Sequence, residues 1–546
     1  MNFEHVYKRA ESRMNLINDK EFTKIYVGSL SDILISEEVF KALQADIKKK
    51  GLKAEVIMTG SFGYYDLEPV VLIEKPEESP VLYSHVVPVT ASKLVDEYLT
   101  NNNRKPGMVL SETSSLPLFN LQKRVALRNC GRINPDEIAH YIVLGKGYSG
   151  LSKALKMSRT ALIDELTKSG LRGRGGAGFY SADKWKTCHD EASTEKYAIC
   201  NAVDSDPSAR TARLLLESDP HSVLEGLLIG AYAVGASKCF LCINTDYGAA
   251  KKRLENALDQ MKDYGLLGRK ILDSSFNCEI EVMAVEGALV AGEETALLRS
   301  MEKRQTMPYL RPPYPATKGL AGKPTLIQNI ETLSNVSAIF QNETARNSST
   351  DLKYSKGSKV VTLTGDVIHK YTIEVPFGTT LRQIVEDIGG GVSNDKGIKA
   401  VQLGGPTGAF FSADSLDIAL DYETIVQAGA MIGSGTISVF DDSSCAVEMT
   451  NDIMTYVQSQ SCGKCVFCRE GTFQMSDILK DISEKKGKPQ DLDLLKELGA
   501  AMKNGCICGL GRTASNPVLS SMKLFRSEYD SHIKEKKCLY DRDKAG

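Results

Sequence analysis

The stretch Gly170-Leu-Arg-Gly-Arg-Gly-Gly-Ala-Gly-Phe179 sets the reading of the whole chain. Five glycines and two arginines stand within its ten residues, a composition that core packing does not explain. Glycine permits φ > 0 and lets the backbone come within hydrogen-bonding range of a ligand. Arg172 and Arg174 add fixed positive charge, so the stretch reads as a cradle for a phosphate.

Around this loop the chain has the composition of a globular, multidomain protein. Its 546 residues are 42% hydrophobic and 25% charged, which leads us to expect roughly three to four domains. The net charge of -2 comes without a long run of like charge, so neither nucleic acid nor direct membrane insertion is expected. The longest apolar passage, Leu224 to Ile243, is interrupted by Glu225, Ser237, Lys238 and glycines, and it predicts a buried helix followed by a strand. The opening Met-Asn-Phe-Glu has no apolar leader, which favours the cytoplasm or an organelle matrix.

Thirteen cysteines are placed unevenly: none falls in the first 129 residues, and five fall between Cys462 and Cys508. An odd count with three thiols at two-residue gaps argues for metal ligands in a reducing compartment rather than disulfides. Cys130, Cys188, Cys200, Cys239, Cys242, Cys278 and Cys445 are scattered and read as small buried hydrophobes.

The pattern predicts an α/β multidomain chain. Strand-like runs Lys24–Val27, Ala54–Met58 and Val70–Ile73 alternate with helical periodicity at Ser36–Lys50 and Ala91–Thr100, giving a small domain over 1–105. The polar passage Asn101 to Gly107 reads as a linker. A mixed region over 106–350 holds most glycine-rich loops, and after the polar run Asn342 to Lys356 a compact β-rich domain is expected over 351–442. The segment 443–546 reads as helical, with helices near Ala446–Gln458, Thr472–Lys485, Asp491–Lys503 and Asn516–Lys534.

Near the C-terminus stands Cys462-Gly-Lys-Cys465-Val-Phe-Cys468, followed by Cys506-Ile-Cys508-Gly-Leu-Gly511. Three thiolates at this spacing can take three corners of a cubane from one loop, and a fourth from a distant helix end closes the site. A structural zinc site is the rival, although it favours two separated pairs. Cys508, just before the Gly-Leu-Gly turn, is the preferred fourth ligand, with Cys506 as the alternative. Gly463 and Lys464 are expected to turn backbone amides and a cation toward the cluster sulfurs.

These motifs in order resemble the flavin-bearing, NADH-oxidising iron–sulfur subunit of respiratory complex I and its relatives in NAD-linked and electron-bifurcating hydrogenases and formate dehydrogenases. The resemblance covers roughly residues 120 to 540. It also rests on Lys184-Trp185, Cys200-Asn-Ala202, Asp219-Pro-His221, Gly292-Glu-Glu-Thr-Ala-Leu297, Pro312-Pro-Tyr-Pro315, Asn329-Ile-Glu-Thr332, Gly404-Gly-Pro406 and Cys468-Arg-Glu-Gly-Thr472. It implies a degenerate thioredoxin-like N-terminal domain, an α/β FMN-binding domain, a β-grasp-like domain and a C-terminal helical bundle carrying a [4Fe–4S] cluster. By the same resemblance, FMN is held by Gly173, Arg174, Gly175, Lys184, Asn201, Asp204, Gly292, Gln328 and Asn329. Phe179 and Tyr314 are the rings that sandwich a dinucleotide, and Asp206, Glu293, Glu294 and Arg311 complete the substrate side. Cys462, Cys465, Cys468 and Cys508 hold the cluster, and no residue is assigned as a catalytic acid or base.

The implied activity is electron passage between NAD(H) and a partner through FMN and one [4Fe–4S] cluster. The implied partners are a small thioredoxin-like [2Fe–2S] subunit and a larger iron–sulfur catalytic subunit. An electron-transfer module that no longer exchanges a nicotinamide nucleotide is the alternative. It draws on departures from the family pattern at Val203, Asp204, Asp206, Leu289, Ala291, Thr187 and Arg311. The acidic pair Glu293 and Glu294 is expected to disfavour a 2′-phosphate. In the N-terminal domain, Tyr26–Asp32 and Thr59–Pro69 stand where relatives carry cluster cysteines, so a docking role without a cluster is expected there.

Overall fold

The computed structural model describes residues 2–14, 21–28, 33–103, 109–112, 117–342, 355–393 and 395–540. The expected boundaries at 105/106 and 350/351, and parts of the expected linker, of the polar run and of the stretch Tyr26–Asp32, lie outside the described residues.

The architecture is mixed α/β, built on three sheets and a helical C-terminal region. The first sheet comprises β1 (Thr23–Gly28), β2 (Ala54–Thr59), β3 (Val70–Glu74), β4 (Val81–Tyr83) and β5 (Val109–Glu112), in the order β2-β1-β3-β4-β5. Only β1 and β2 are parallel, and a parallel pair needs a crossover, which the helix Ile33–Lys50 supplies. Val39, Leu43 and Ile47, spaced by four, put one stripe of that helix into the core of the sheet.

The second sheet is wholly parallel: β6 (Tyr197–Ala202), β7 (Lys238–Asn244), β8 (Glu279–Val285) and β9 (Thr325–Asn329), in the order β8-β7-β6-β9. The chain steps outward from β6 to β7 to β8, then returns to lay β9 on the other side of β6. That reversal makes a switch point, and in open parallel sheets ligands bind outside the carboxyl ends of the strands at such a point. The apolar passage Leu224 to Ile243 folds as the end of the buried helix Pro220–Val234 and then β7. Asp219 caps that helix by accepting from Ser222 N, and Gly235, at φ 86°, ends it.

The third sheet is mixed: β10 (Ser358–Gly365), β11 (Thr372–Pro376), β12 (Ile398–Leu403), β13 (Ala409–Ser412) and β14 (Thr436–Asp441), in the order β11-β10-β14-β12-β13. The C-terminal helices Ala446–Ser459, Val466–Ser483, Asp491–Gly505 and Asn516–Leu524 surround a core of their own. Two expected helices differ from the structure. The helix expected from Thr472 begins at Val466, with Cys465 as its cap, and the one expected over Asn516–Lys534 stops at Leu524 and resumes at Arg526. Phe525 (φ −119°, ψ 37°) leaves helical geometry between the two and packs on Phe410 and Met449 of a small separate core.

The three sheets share one continuous apolar core. The segment after β2 is its junction. Phe62 is buried and stacks beside Tyr64, Tyr64 meets Tyr371 edge-on at 5.5 Å, and Thr372 N donates to the Gly63 carbonyl at 2.8 Å. Gly60 lies directly against Ser218. The thiol-free segment is therefore wedged between the helix Thr211–Ser218 and the third sheet. Among the described residues no helix is long and apolar enough to cross a membrane.

Candidate functional site

The carboxyl ends of β6 and β9 lie side by side in register, pairing Cys200 with Gln328 and Asn201 with Asn329. Asn201 Nδ2 donates to the Gly292 carbonyl at 3.0 Å, which brings the segment before the helix Glu294–Met301 over the strand ends. Lys184, on the helix Ser181–Asp190 that follows the glycine loop, donates to the Ile327 carbonyl at 3.2 Å and pairs with Glu294. Gly175 faces Asn329: a Cβ there would stand 3.4 Å from the asparagine Cβ. Gly175, Lys184, Asn201, Gly292, Gln328 and Asn329 thus meet at the switch point.

The donor groups at this point suit a flavin. Gln328 is 4% exposed, and its Nε2 has no partner among the described residues. A buried amide donor without an acceptor is costly in isolation, and a polar isoalloxazine edge would satisfy it. The neighbouring Trp185 is fully buried with its indole N–H also unpaired.

The glycine loop itself departs from the expected cradle. It closes as a hairpin in which Gly173 N donates to the Phe179 carbonyl at 2.6 Å and Arg172 Nε donates to the Gly178 carbonyl. Gly176, at φ 114°, abuts Gly433 in the loop before β14, where a Cβ would stand 2.7 Å from a backbone oxygen, and Gly178 lies on the Tyr422 ring. These two glycines answer a packing demand that local sequence does not reveal. The arginines do likewise. Arg174 is 2% exposed, lies over the Phe377 ring at 4.9 Å and donates to the carbonyls of Arg172 and Lys356. Arg172 pairs with Glu423 and lies over Tyr422. The positive charge assigned to a phosphate is thus placed against the third-sheet region, where Tyr422 Oη also donates to the Gly173 carbonyl at 2.9 Å, while Gly175 remains on the strand-end side beside Asn329.

Two further expected ligands point elsewhere. Asp204 Oδ2 accepts from Ala212 N, Arg213 N and Tyr247 Oη at the start of the helix Thr211–Ser218, and burial raises its carboxyl to about 6. Asp206 is buried, and its Oδ2 accepts from Ser434 Oγ at 2.5 Å and Thr436 Oγ1 at 2.6 Å, binding the loop after β6 to β14. On the substrate side, Glu293 caps the helix Glu294–Met301 by accepting from Thr295 N and Ala296 N. Its other oxygen lies 3.6 Å from Arg311, whose guanidinium is over Tyr314. Phe179 and Tyr314 are both largely exposed.

The cysteine loop sits against this region. Lys464 Nζ donates to the Pro308 carbonyl at 2.6 Å, and Gln460 accepts from Leu289 N at 3.0 Å. Lys464 is therefore committed to a carbonyl rather than to the thiols, and Arg469 and Arg512 likewise donate to the carbonyls of Gly463 and Cys506. Cys465 and Cys508 each precede a helix, and Cys468 lies in the first turn after Cys465. Among the described residues no three of these thiols lie within 4.8 Å of one another. A tetrahedral zinc with Zn–S bonds of about 2.3 Å needs sulfurs about 3.8 Å apart, whereas a cubane spreads its four thiolates more widely. Burial pushes the thiols of Cys508 up to about 11 and of Cys506 up to about 12, so a metal must draw off the ligand protons.

Cys445, read from sequence as a lone buried hydrophobe, lies 3.4 Å from His532 Nε2. With Cys538 it forms a group whose ligand atoms all fall within 4.8 Å, the spacing of a single-ion site. The His-x₅-Cys spacing at 532–538 was the available sequence signal. The other scattered cysteines, from Cys130 to Cys278, are buried and apolar in setting.

A family model described as the Nuo51 FMN-binding domain matches residues 166–338, and one described as the NADH-ubiquinone oxidoreductase-F iron-sulfur binding region matches 448–532. The chain is 43% identical over 417 residues to the NADP-reducing hydrogenase subunit HndC of Solidesulfovibrio fructosivorans, covering 76% of this chain and 85% of that one. It is 37% identical over 400 residues to an NADH-quinone oxidoreductase subunit of Streptomyces coelicolor, covering 73% and 89%. Its fold is similar to that of a chain of NAD+-reducing [NiFe]-hydrogenase in the H2-reduced state, with a TM-score of 0.66 at 24% identity over 98% of this chain and 91% of that one.

Proposed function

We propose a function from one premise: this chain belongs to the family of FMN-binding, iron–sulfur subunits that includes HndC and the NADH-quinone oxidoreductase subunit of Streptomyces coelicolor. It is an oxidoreductase subunit of the NADH dehydrogenase type, with FMN and a [4Fe–4S] cluster as cofactors and NAD(H) as substrate. When bound, FMN supplies the exchange between two-electron hydride chemistry and single electrons that the cluster carries onward.

The finer reading concerns this chain's own residues. The observation that carries it is the meeting of Lys184, Asn201, Gly292 and the unpaired Gln328 amide at the β6/β9 switch point, with the cysteine loop docked beside them through Lys464 and Gln460. Lys184 and Gln328 present donors to a flavin edge, where fixed hydrogen bonds set the ease of reduction. Gly173 and Gly175 give backbone room on the phosphate side, and Asn329 holds the start of the helix Ile330–Phe340 by accepting from Glu331 N. Cys462, Cys465, Cys468 and Cys508 hold the cluster, and Glu293, Glu294, Arg311 and Tyr314 line the nucleotide's side.

The domain division at 105/106, 350/351 and 442/443 belongs to this reading, with the β-grasp-like third sheet as a brace between flavin and cluster regions. So do the partners: a small thioredoxin-like [2Fe–2S] subunit and a larger iron–sulfur catalytic subunit of hydrogenase or formate dehydrogenase type, in the cytoplasm or an organelle matrix, with electron bifurcation depending on flavin potentials and on clusters in those partners. The second reading, a flavin and iron–sulfur relay without nucleotide exchange, draws support from the commitment of Asp204 and Asp206 to structural hydrogen bonds. Anaerobic addition of NADH to the purified complex separates the two. Bleaching of the flavin without any other reductant is expected, and bleaching by dithionite alone would sink the dehydrogenase reading.

A further inference from the structure

Away from the cluster thiols, a second set of metal-ligating side chains meets in the helical region. Cys445 caps the helix Ala446–Ser459, while His532 and Cys538 follow the helix Arg526–Asp530, and their three ligand atoms lie within 4.8 Å of one another. Two sulfurs and one imidazole nitrogen at that spacing are a donor set for one tetrahedral zinc, with Zn–S bonds of about 2.3 Å and Zn–N bonds of about 2.0–2.1 Å. The place is remote from the cluster. His532 rests on Ile482, near the C-terminal end of the helix that Cys465 caps, about 24 Å along the axis from its first turn.

The side chains around the group hold it as a site. His532 is 1% exposed, and its Nδ1 donates to the Ile482 carbonyl at 3.2 Å, which leaves the Nε2 lone pair facing Cys445 Sγ 3.4 Å away. A carbonyl on the far ring nitrogen fixes the tautomer and orientation of a metal-bound imidazole in this way. The backbone N–H groups of Val447 and Glu448 donate toward the Cys445 sulfur, an arrangement that suits a thiolate. The neighbouring carboxylate is spent: Glu528 accepts from Ala446 N at 2.8 Å and pairs with Lys399 at 2.7 Å. Among the described residues the group therefore has three ligand atoms and no fourth, and Cys538 is only half-buried, which brings its edge to the surface.

We propose that Cys445, His532 and Cys538 hold one zinc ion, with water in the fourth position, as a clasp at the end of the cluster-bearing region. Zinc displaces one proton from each thiol, and the two thiolates neutralise the ion, so no net charge is buried. Thiolate and imidazole ligands in tetrahedral geometry select zinc over iron(II) at a single-ion site. The clasp joins the segment just after β14 to the C-terminal segment and, through Ile482, to the helix whose first turn carries Cys468. It is independent of the flavin and of nucleotide binding.

Metal analysis of the purified full chain, with its iron in place, tests this. About one zinc per chain is expected beside the irons, and X-ray absorption at the zinc edge should show two sulfurs at about 2.3 Å and two nitrogen or oxygen ligands at about 2.0–2.1 Å. His532→Ala and Cys538→Ser should each lower zinc below about 0.1 per chain and leave the iron content of wild type unchanged. Because Cys538 reaches the surface, its variant keeps the fold, which unchanged iron content reports. Wild type that holds no zinc and takes up none when titrated with zinc sulfate overturns the proposal. So does a zinc edge showing four sulfurs, or a Cys538→Ser variant that retains its zinc; a disulfide between Cys445 and Cys538 in anaerobically prepared wild type overturns it as well.

Discussion

Lys359 Nζ donates to Glu331 Oε2 at 2.5 Å, with both side chains only 1% exposed, and joins the first strand of the third sheet to the helix that begins beside Asn329. Val360 N donates to the other carboxylate oxygen at 2.8 Å, so the acid is fully engaged. Removing one partner leaves an uncompensated buried charge. Lys359→Met is expected to cost about 3–5 kcal/mol in urea unfolding, with the double variant Lys359→Met, Glu331→Leu recovering much of it.

The glycines of the Gly170–Phe179 loop are expected to separate into two kinds. Gly176→Ala meets a backbone oxygen at φ 114° and should cost about 1–3 kcal/mol of stability. A Cβ on Gly173 would meet only the Phe179 carbonyl at 3.5 Å, so Gly173→Ala should fold within about 0.5–1 kcal/mol of wild type while binding FMN more weakly. Trp185 is the single tryptophan, fully buried beside Lys184, and its quenching on FMN titration reads the affinity directly.

Iron content assigns the fourth thiol. Wild type should hold about four irons per chain, Cys506→Ser should keep them, and Cys508→Ser should lose them. The reverse pattern would make Cys506, whose sulfur lies against Gly511, the ligand.

Acid sensitivity should trace in part to His221. Burial lowers its imidazole to about 3, against about 6.5 in an unfolded chain, and Tyr148 Oη lies 2.8 Å from its Nδ1. Below about pH 6.5 the unfolded chain takes a proton that the folded one refuses, so this contribution is complete above pH 6.5 and lost progressively toward pH 3. Urea midpoints at pH 7.5 and 5 should differ less for His221→Gln than for wild type.

What the sequence revealed was what neighbours along the chain decide. The helix-then-strand passage Leu224 to Ile243 declared itself by an apolar run interrupted at Ser237 and Lys238, and the cysteine spacing declared a multi-thiolate site. Hidden were the demands made from far away. Arg172 and Arg174 looked like phosphate ligands because Glu423 and Phe377, their partners, are some two hundred residues on. Asp204 and Asp206 looked like site acids because their acceptor roles at Ala212 and Thr436 are set by a positive φ at one and a sheet contact at the other. The break at Phe525 was invisible to periodicity because a packed ring, not a glycine or proline, makes it.

The segment of Phe62 and Tyr64, wedged between the helix Thr211–Ser218 and the third sheet, has a consequence for current flow. The first 129 residues contain no cysteine, and the segment after β2 is filled by the buried rings of Phe62 and Tyr64 and tied by a backbone hydrogen bond from Thr372. With FMN and the cluster held as proposed, a charge leaving the switch point passes toward Cys462 to Cys508, while the first sheet, which has no thiol, acts as an insulator on the other flank.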